Sequence, residues 1–157
     1  VRLDELLARV DVRARRGGDP DVAAVTHDSR MVRPGTLFCC VPGLHADGHD
    51  FADAAVSAGA VALLVERLLP VPDEVAQAEV DSVRTAMGPI AAAFHRDPSR
   101  ALSVIGITGT NGKTTTTFLL RSILEAAGMP TAVLGTLGGA RTTPEAPELQ
   151  AALAAAR

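Results

Sequence analysis

The apolar positions of this chain change period several times, and each change marks an element. Leu3, Leu6, Leu7 and Val10 recur at helical spacing in "VRLDELLARV", before the breaker "RRGGDP". "AAVTHDS" (23–29) and "TLFCCV" (36–41) read as short strands around the turn "RPG". "DFADAAVSAGA" (50–60) predicts a short helix ending near Gly59, and "AVALLVE" (60–66) a buried strand. A further β-type stretch, "VAQAEVD" (75–81), leads into a helical pattern over "SVRTAMGPIAAAFHR" (82–96). Pro89 falls inside that pattern and is expected to kink or restart the helix.

"RDPSRA" (96–101) is the best linker candidate, and the pattern changes after it. "LSVIGIT" (102–108) is a near-continuous apolar run, of the kind buried on both faces of a parallel sheet. A Gly-rich turn follows, then a helix through "TTTTFLLRSILEAAG" that stops at Gly128 with Pro130 beyond. "TAVLGT" (131–136) is a second apolar strand, so residues 102–136 are predicted as one βαβ unit. The fold class is therefore α/β, with a small domain over 1–98 and the start of a second, parallel-sheet domain over 99–157.

Composition narrows the function. Apolar residues make up 47% of the chain, enough for a packed core. Tyr and Trp are absent, so stacking platforms for bases or sugars are scarce. A net charge of −3 supplies no field for nucleic acid or an anionic membrane, so no nucleic-acid partner is expected. Any bound anion must be held by a local site. Cys39 and Cys40 are adjacent, and neighbours on a strand point to opposite faces, so two small apolar strand residues are expected rather than a disulfide. No basic-then-apolar leader pattern and no membrane-length apolar run occur, so the chain reads as cytoplasmic without membrane insertion.

All but one of the 15 basic residues are arginines, and the exception is Lys113 in "GITGTNGKTTTT". A strand, a Gly-rich turn and a helix starting at lysine is the layout of a phosphate-binding loop. Its glycines let backbone N–H groups approach phosphate oxygens, the helix N-terminus adds positive potential, and lysine brings a compact mobile charge. Arginine's wide planar fork is a poor replacement there. Gly109, Thr110, Asn111, Gly112, Lys113, Thr114 and Thr115 are thus the nucleotide-binding candidates, with the Thr114 hydroxyl offered to Mg2+. The standard G-x-x-x-x-G-K-[ST] spacing would need glycine where Ile107 stands, so this loop is shorter. The competing reading is an ordinary helix start capped by Thr110 or Asn111.

Phosphate binding leaves the reaction open. The ordered motifs "THDSR" (26–30), "RPGTLFCCVPG" (33–43), "ADGHDF" (46–51), "GTNGKTTT" (109–116) and "RTTPEAPELQ" (141–150) resemble the ATP-dependent Mur ligases of peptidoglycan synthesis. The short loop is that family's form, and "TTPE" followed by "LQ" looks most like the branch adding the third residue of the stem peptide. The resemblance runs through almost the whole chain. It implies that 1–98 binds the UDP end of a UDP-N-acetylmuramoyl-dipeptide and that 99–157 opens a central ATPase domain. It places Ser29 and the loop Leu44-His45-Ala46 at the uridine diphosphate, and Thr142 and Thr143 at the sugar-peptide near the reacting carboxylate. Read without it, "DSR" is a turn in which Asp28 and Ser29 bond nearby backbone. Thr143 likewise reads as a helix cap with Pro144 at the first helical position, or Thr142…Glu145 as a capping box one residue earlier. His45 and His49 flank Asp47, with Asp50 beyond, but Gly48 and the lack of a third clear ligand argue against a metal site. His27 and His95 read as ordinary surface or partly buried histidines.

The implied reaction is amide formation: the γ-phosphoryl group of ATP passes to the D-glutamate carboxylate, and the amine of diaminopimelate or lysine attacks the acyl phosphate. Lys113 is the catalytic candidate, stabilising charge on the transferring group, with Mg2+ held partly by Thr114. The family's downstream Mg2+-binding glutamate, modified lysine and amino-acid-selecting domain have no counterpart here, so the 157 residues are expected to be a fragment inactive on its own. The identity of the added amino acid and the oligomeric state stay open, although a sheet edge at 102–136 would invite self-association. The alternatives are a D-Ala-D-Ala-adding or folylpolyglutamate-type ligase, a non-catalytic nucleotide-sugar module, and an unrelated P-loop kinase or ATPase.

Overall fold

The computed structural model describes residues 1–44, 46–135 and 144–157. The chain divides into two compact units, Val1–Asp97 and Pro98–Arg157.

The first unit is built on a five-stranded sheet. Its strands are β1 (Ala14–Arg16), β2 (Ala24–Thr26), β3 (Thr36–Cys39), β4 (Ala60–Val65) and β5 (Ala76–Glu79), in the spatial order β1-β5-β4-β3-β2. Pairing is parallel from β2 through β5, and only β1 runs antiparallel, on β5. Parallel strands need crossovers, and α2 (Ala52–Ser57) and α3 (Val83–Phe94) follow β3 and β5, with α1 (Leu3–Leu7) ahead of the sheet. Alternation sends Phe38, Cys40, Leu63 and Val65 to one face, where they pack with Ala52 and Ala55 of α2. Leu37, Cys39, Ala62 and Leu64 point the other way and are also buried. The buried residues of α1 and α3 (Leu3, Leu6, Leu7, Val83, Met87 and Ile90) lie outside the α2 cluster, and the two helices contact one another. Neither cysteine is in a disulfide and both are buried on opposite faces; burial pushes the Cys40 thiol up to about 12, with the nearby Asp47 charge adding.

Three expectations for this unit need correction. The segment read as a breaker after α1 includes strand β1, which pairs Arg15 with Ala78. Its polar "ARR" suits an edge strand with half of its surface in water and gives no alternating signal. Helix α1 is shorter than its pattern, because Ala8 to Val10 leave it by turn-type hydrogen bonds. Helix α3 passes through Pro89 without interruption. Proline ordinarily forces the preceding residue out of the α region by clashing with its Cβ, but Gly88 has none, and the space where one would stand is open.

The second unit departs further from expectation. Its helices α4 (Lys113–Ala126) and α5 (Ala146–Ala155) form, together with a 3-10 turn over Pro98–Ala101. Neither predicted strand does: no strand is assigned among the described residues of 102–135, and Val104, Ile105 and Leu134 are exposed. Two strands cannot cover both faces of a sheet, so these runs have no ladder to join. The expected sheet edge is absent with them. Helix α5 starts at Ala146 with Glu145 as N-cap and Pro147 in its first turn, later than a start at Thr143 or Pro144. Thr142 and Thr143 lie outside the described residues.

Helix α3 ends in a Schellman arrangement: the Arg96 N–H donates to the Ala93 carbonyl and the Asp97 N–H to that of Ala92. Arg96 (φ 60°) and Asp97 (φ 50°) are the non-glycine residues held in the left-handed region among those described. The Asp97 carboxylate accepts from Arg9 at 2.9 Å, which ties this corner to the end of α1. Arg96→Gly is expected to raise stability by about 1 kcal/mol in urea unfolding, because glycine takes that conformation without the Cβ penalty. Asp97→Gly should gain less, since it also removes the Arg9 pair.

Candidate functional site

Because β2, β3 and β4 are parallel and adjacent, the segments following them emerge at one edge of the sheet. Those segments are 27–31, 40–48 and 66–68, and the outside of the carboxyl edge is where open α/β sheets bind ligands. The sequence candidates Ser29, Leu44 and Ala46 are all brought to that edge. His45 lies outside the described residues.

In the first segment, Asp28 makes the turn expected of "DSR". Its Oδ1 accepts from the Arg30 N–H at 3.0 Å, and its two oxygens take Arg30 Nε (2.9 Å) and Nη2 (2.6 Å) as a fork. The Arg30 hydrogen bond, opposed by burial, holds the Asp28 carboxyl at about 2. Half-buried Ser29 opens a 3-10 turn through Met31.

The second segment is a tight loop closed at its base. Pro42 and Asp47 form an isolated antiparallel bridge, and the Gly43 N–H donates to the Ala46 carbonyl at 2.9 Å. Gly48 packs so closely that a Cβ there would meet the Val41 nitrogen at 2.5 Å. Leu44, at the tip, is 99% exposed.

Beneath this loop lies a network the sequence reading did not assemble. The His49 ring is fully buried. Its Nε2 accepts from the Glu66 N–H at 2.9 Å, so the ring proton sits on Nδ1 and is donated to Asp47 Oδ1 at 2.6 Å. The His49 backbone N–H donates to the same oxygen at 3.0 Å, and Arg67 Nη2 donates to Oδ2 at 3.1 Å. The Glu66 carboxylate in turn accepts from the Val83 N–H at 2.8 Å, at the N-terminus of α3. Burial raises the Asp47 carboxyl, but the bonds from His49 and Arg67 outweigh it and bring the group to about 2. With both ring nitrogens engaged, His49 has no lone pair left for a metal, and no cluster of three or more His, Cys, Asp or Glu suited to a metal occurs among the described residues. Glu66 and Arg67 had a legible signal: a charged pair ending the apolar run "AVALLV", where a buried parallel strand meets its carboxyl edge.

In the second unit, Gly109 (φ 151°) and Gly112 (φ 77°) hold backbone conformations that other residues rarely adopt. Gly112 is the N-cap of α4 and makes no side-chain cap bond. The helix therefore starts through glycine geometry, not through the Thr110 or Asn111 cap. Lys113 Nζ folds back to donate to the Gly109 carbonyl at 2.5 Å. Thr114 and Thr115 are exposed in the first turn, which holds no acidic residue. Loop N–H groups, one ammonium and two free-facing hydroxyls form a donor set suited to phosphate. Mg2+ commonly takes one or two protein oxygens and completes its shell with phosphate and water, so Thr114 fits that role.

The Asp47 carboxyl ties its network to pH. Its pKa is lowered from 3.8 to about 2, so the network's stabilisation is complete above about pH 4 and is lost as pH falls through 2. The stability difference between wild type and Asp47→Asn is expected to shrink across that window in urea unfolding at pH 5, 3 and 2; a constant difference would contradict the assignment.

Residues 107–157 match the family described as Mur ligase middle domain, and residues 21–95 match that described as Mur ligase family, catalytic domain. The UDP-N-acetylmuramoyl-L-alanyl-D-glutamate–2,6-diaminopimelate ligase of Syntrophomonas wolfei subsp. wolfei is 40% identical, over 100% of this chain and 34% of its own. A solved structure of a UDP-N-acetylmuramoyl-L-alanyl-D-glutamate–2,6-diaminopimelate ligase superposes with a TM-score of 0.66 at 26% identity, covering 99% of this chain and 33% of that one. The MurF ligase of Thermotoga maritima in complex with ADP gives a TM-score of 0.60 at 30% identity, covering 83% and 28%. The chain spans about a third of the length of the curated relatives it matches. Two family matches in order along the chain, with similarity across its full length, establish that it belongs to the Mur ligase family.

Proposed function

We propose that this chain is the N-terminal part of an ATP-dependent ligase that adds diaminopimelate or lysine to UDP-N-acetylmuramoyl-L-alanyl-D-glutamate. The observation that carries this reading is the loop Gly109–Lys113, where two glycines in special conformations open a helix beside the one lysine of the chain. The relative named above, similar over the whole chain, gives the reading its substrate. ADP in the MurF complex favours an adenine nucleotide for the loop.

In this reading residues 1–98 bind the UDP end, through Ser29 and the loop Leu44-His45-Ala46 at the carboxyl edge. Residues 99–157 bind ATP through Gly109, Thr110, Asn111, Gly112, Lys113, Thr114 and Thr115, with Thr114 on Mg2+. Thr142 and Thr143 are assigned to the sugar-peptide near the reacting carboxylate. Lys113 leaves the Gly109 carbonyl for the phosphates and offsets charge on the γ-phosphoryl group as it moves to the D-glutamate carboxylate. The amine then attacks the acyl phosphate, phosphate departs, and the amide forms. The 157 residues do not suffice for ligation, a reading supported by the apolar runs flanking the loop, which form no strand among the described residues and so give it no paired sheet behind it. In this reading the protein acts in the cytoplasm. No helix among the described residues is long and apolar enough to cross a membrane.

Two measurements test the reading. A melt of the chain with UDP-N-acetylmuramoyl-L-alanyl-D-glutamate should move upward, by the equivalent of about 2.7 kcal/mol at a hundredfold excess over Kd. A cooperative melt that the ligand leaves in place would refute the substrate assignment. Lys113→Ala should weaken ATP binding at least tenfold in calorimetry while the melting temperature holds, because the side chain bonds to its own exposed loop. Equal ATP affinity in the two chains would remove Lys113 from the site.

A further inference from the structure

The side chain that controls the proposed UDP loop is one that cannot touch the ligand. His49 is buried, with each ring nitrogen already bonded, so it has no free position for a substrate atom. Its neighbour Asp47 closes the base of the loop 42–47 through the bridge to Pro42. The Asp47 carboxylate is held from three directions: by the His49 ring, by the His49 N–H and by Arg67. The loop thus combines a clamped base with an exposed tip, Leu44 and Ala46, which is how a binding loop is preorganised.

We infer that His49 is a positioning residue for nucleotide-sugar binding, acting through the Nδ1–H bond to Asp47 to fix the loop that meets the uridine diphosphate. The inference rests on the UDP-site reading given above. The two ring nitrogens have separate duties. Nε2 accepts from Glu66 and joins β4 to the loop, whereas Nδ1 donates to Asp47 and sets the loop itself. A histidine kept only to satisfy the partly buried Glu66 N–H would need the first bond and not the second.

The amide side chains separate these duties. Asn reaches the position of Nδ1 and preserves a donor for Asp47, whereas Gln reaches that of Nε2 and preserves an acceptor for the Glu66 N–H. The experiment is calorimetric titration of the 157-residue chain with UDP, for wild type, His49→Asn and His49→Gln. Amide hydrogen exchange of the ligand-free chains at Gly43 and Gly48, whose N–H groups bond within and below the loop, accompanies it. Thermal melts establish that each variant is folded. His49→Asn is expected to bind UDP within about threefold of wild type with loop exchange unchanged. His49→Gln is expected to lose tenfold or more and to exchange faster at Gly43 and Gly48, at a similar melting temperature. Losses that are equal in the two variants and follow their melting temperatures would make His49 merely structural and overturn the inference. So would unchanged UDP affinity in His49→Gln. If the folded wild-type chain binds no UDP, the site reading itself falls, and the inference with it; the exchange data then show separately whether His49 orders the loop.

Discussion

Parallel pairing of β2, β3, β4 and β5 is the constraint on which the rest of the first unit depends. A parallel ladder cannot be closed by tight hairpins, so the chain crosses over between these strands, once through α2, while α3 follows the last strand, and residues on both faces of the sheet are buried. Phe38 and Leu37, adjacent in β3, are both fully buried for this reason. Polar chemistry is left with the strand ends. Asp28, Glu66 and Arg67 stand within two residues of a strand end, Asp47 closes the loop that follows β3, and each takes part in hydrogen bonds that shape this edge. In open α/β sheets this carboxyl edge is the general place where ligands meet positioned side chains.

The second unit shows the converse. Its apolar run 102–108 has the composition of a central strand, yet a strand is a property of its neighbours as much as of itself. With one candidate partner at 131–136, no ladder forms among the described residues. Helix α4 needs no such partner, since its hydrogen bonds close within fourteen residues. Its outward Phe118, Leu119 and Ile123 are exposed apolar positions, so the helix holds its shape without a covered face. The phosphate-loop geometry survives for the same reason: Gly109 and Gly112 determine it locally.

This division explains what was legible in the sequence. Apolar periodicity located β2 to β5, α2 and α3, because their burial is written as runs and spacings. It missed β1, whose "ARR" sits at an edge and buries little. It allowed for a restart at Pro89 that does not occur, since Gly88 has no Cβ to clash with the proline and α3 continues through it. The lysine and glycines of the loop were legible because few residues can replace them. The His49 network was not, because Asp47 and His49 are near neighbours in sequence while Glu66 and Arg67 arrive from another strand. Only the Asp28–Arg30 pair, local in sequence, could be anticipated as a turn.

A chain of net charge −3 has to concentrate its cations to hold an anionic ligand, and it parks them differently in the two units. Arg30 is forked onto Asp28, and Arg67 rests on Asp47, whose carboxyls sit at about 2. A diphosphate competing for either guanidinium must displace an anion already in place, or share the cation with it. Lys113 rests instead on the neutral Gly109 carbonyl. Exchanging that carbonyl for a phosphate oxygen replaces an ammonium–carbonyl bond with one between opposite charges. The physical difference assigns different work to the two kinds of cation. Arg30 and Arg67 are each tied to a carboxylate that shapes a loop, whereas Lys113 is tied to an uncharged carbonyl, the partner that an anion displaces more easily.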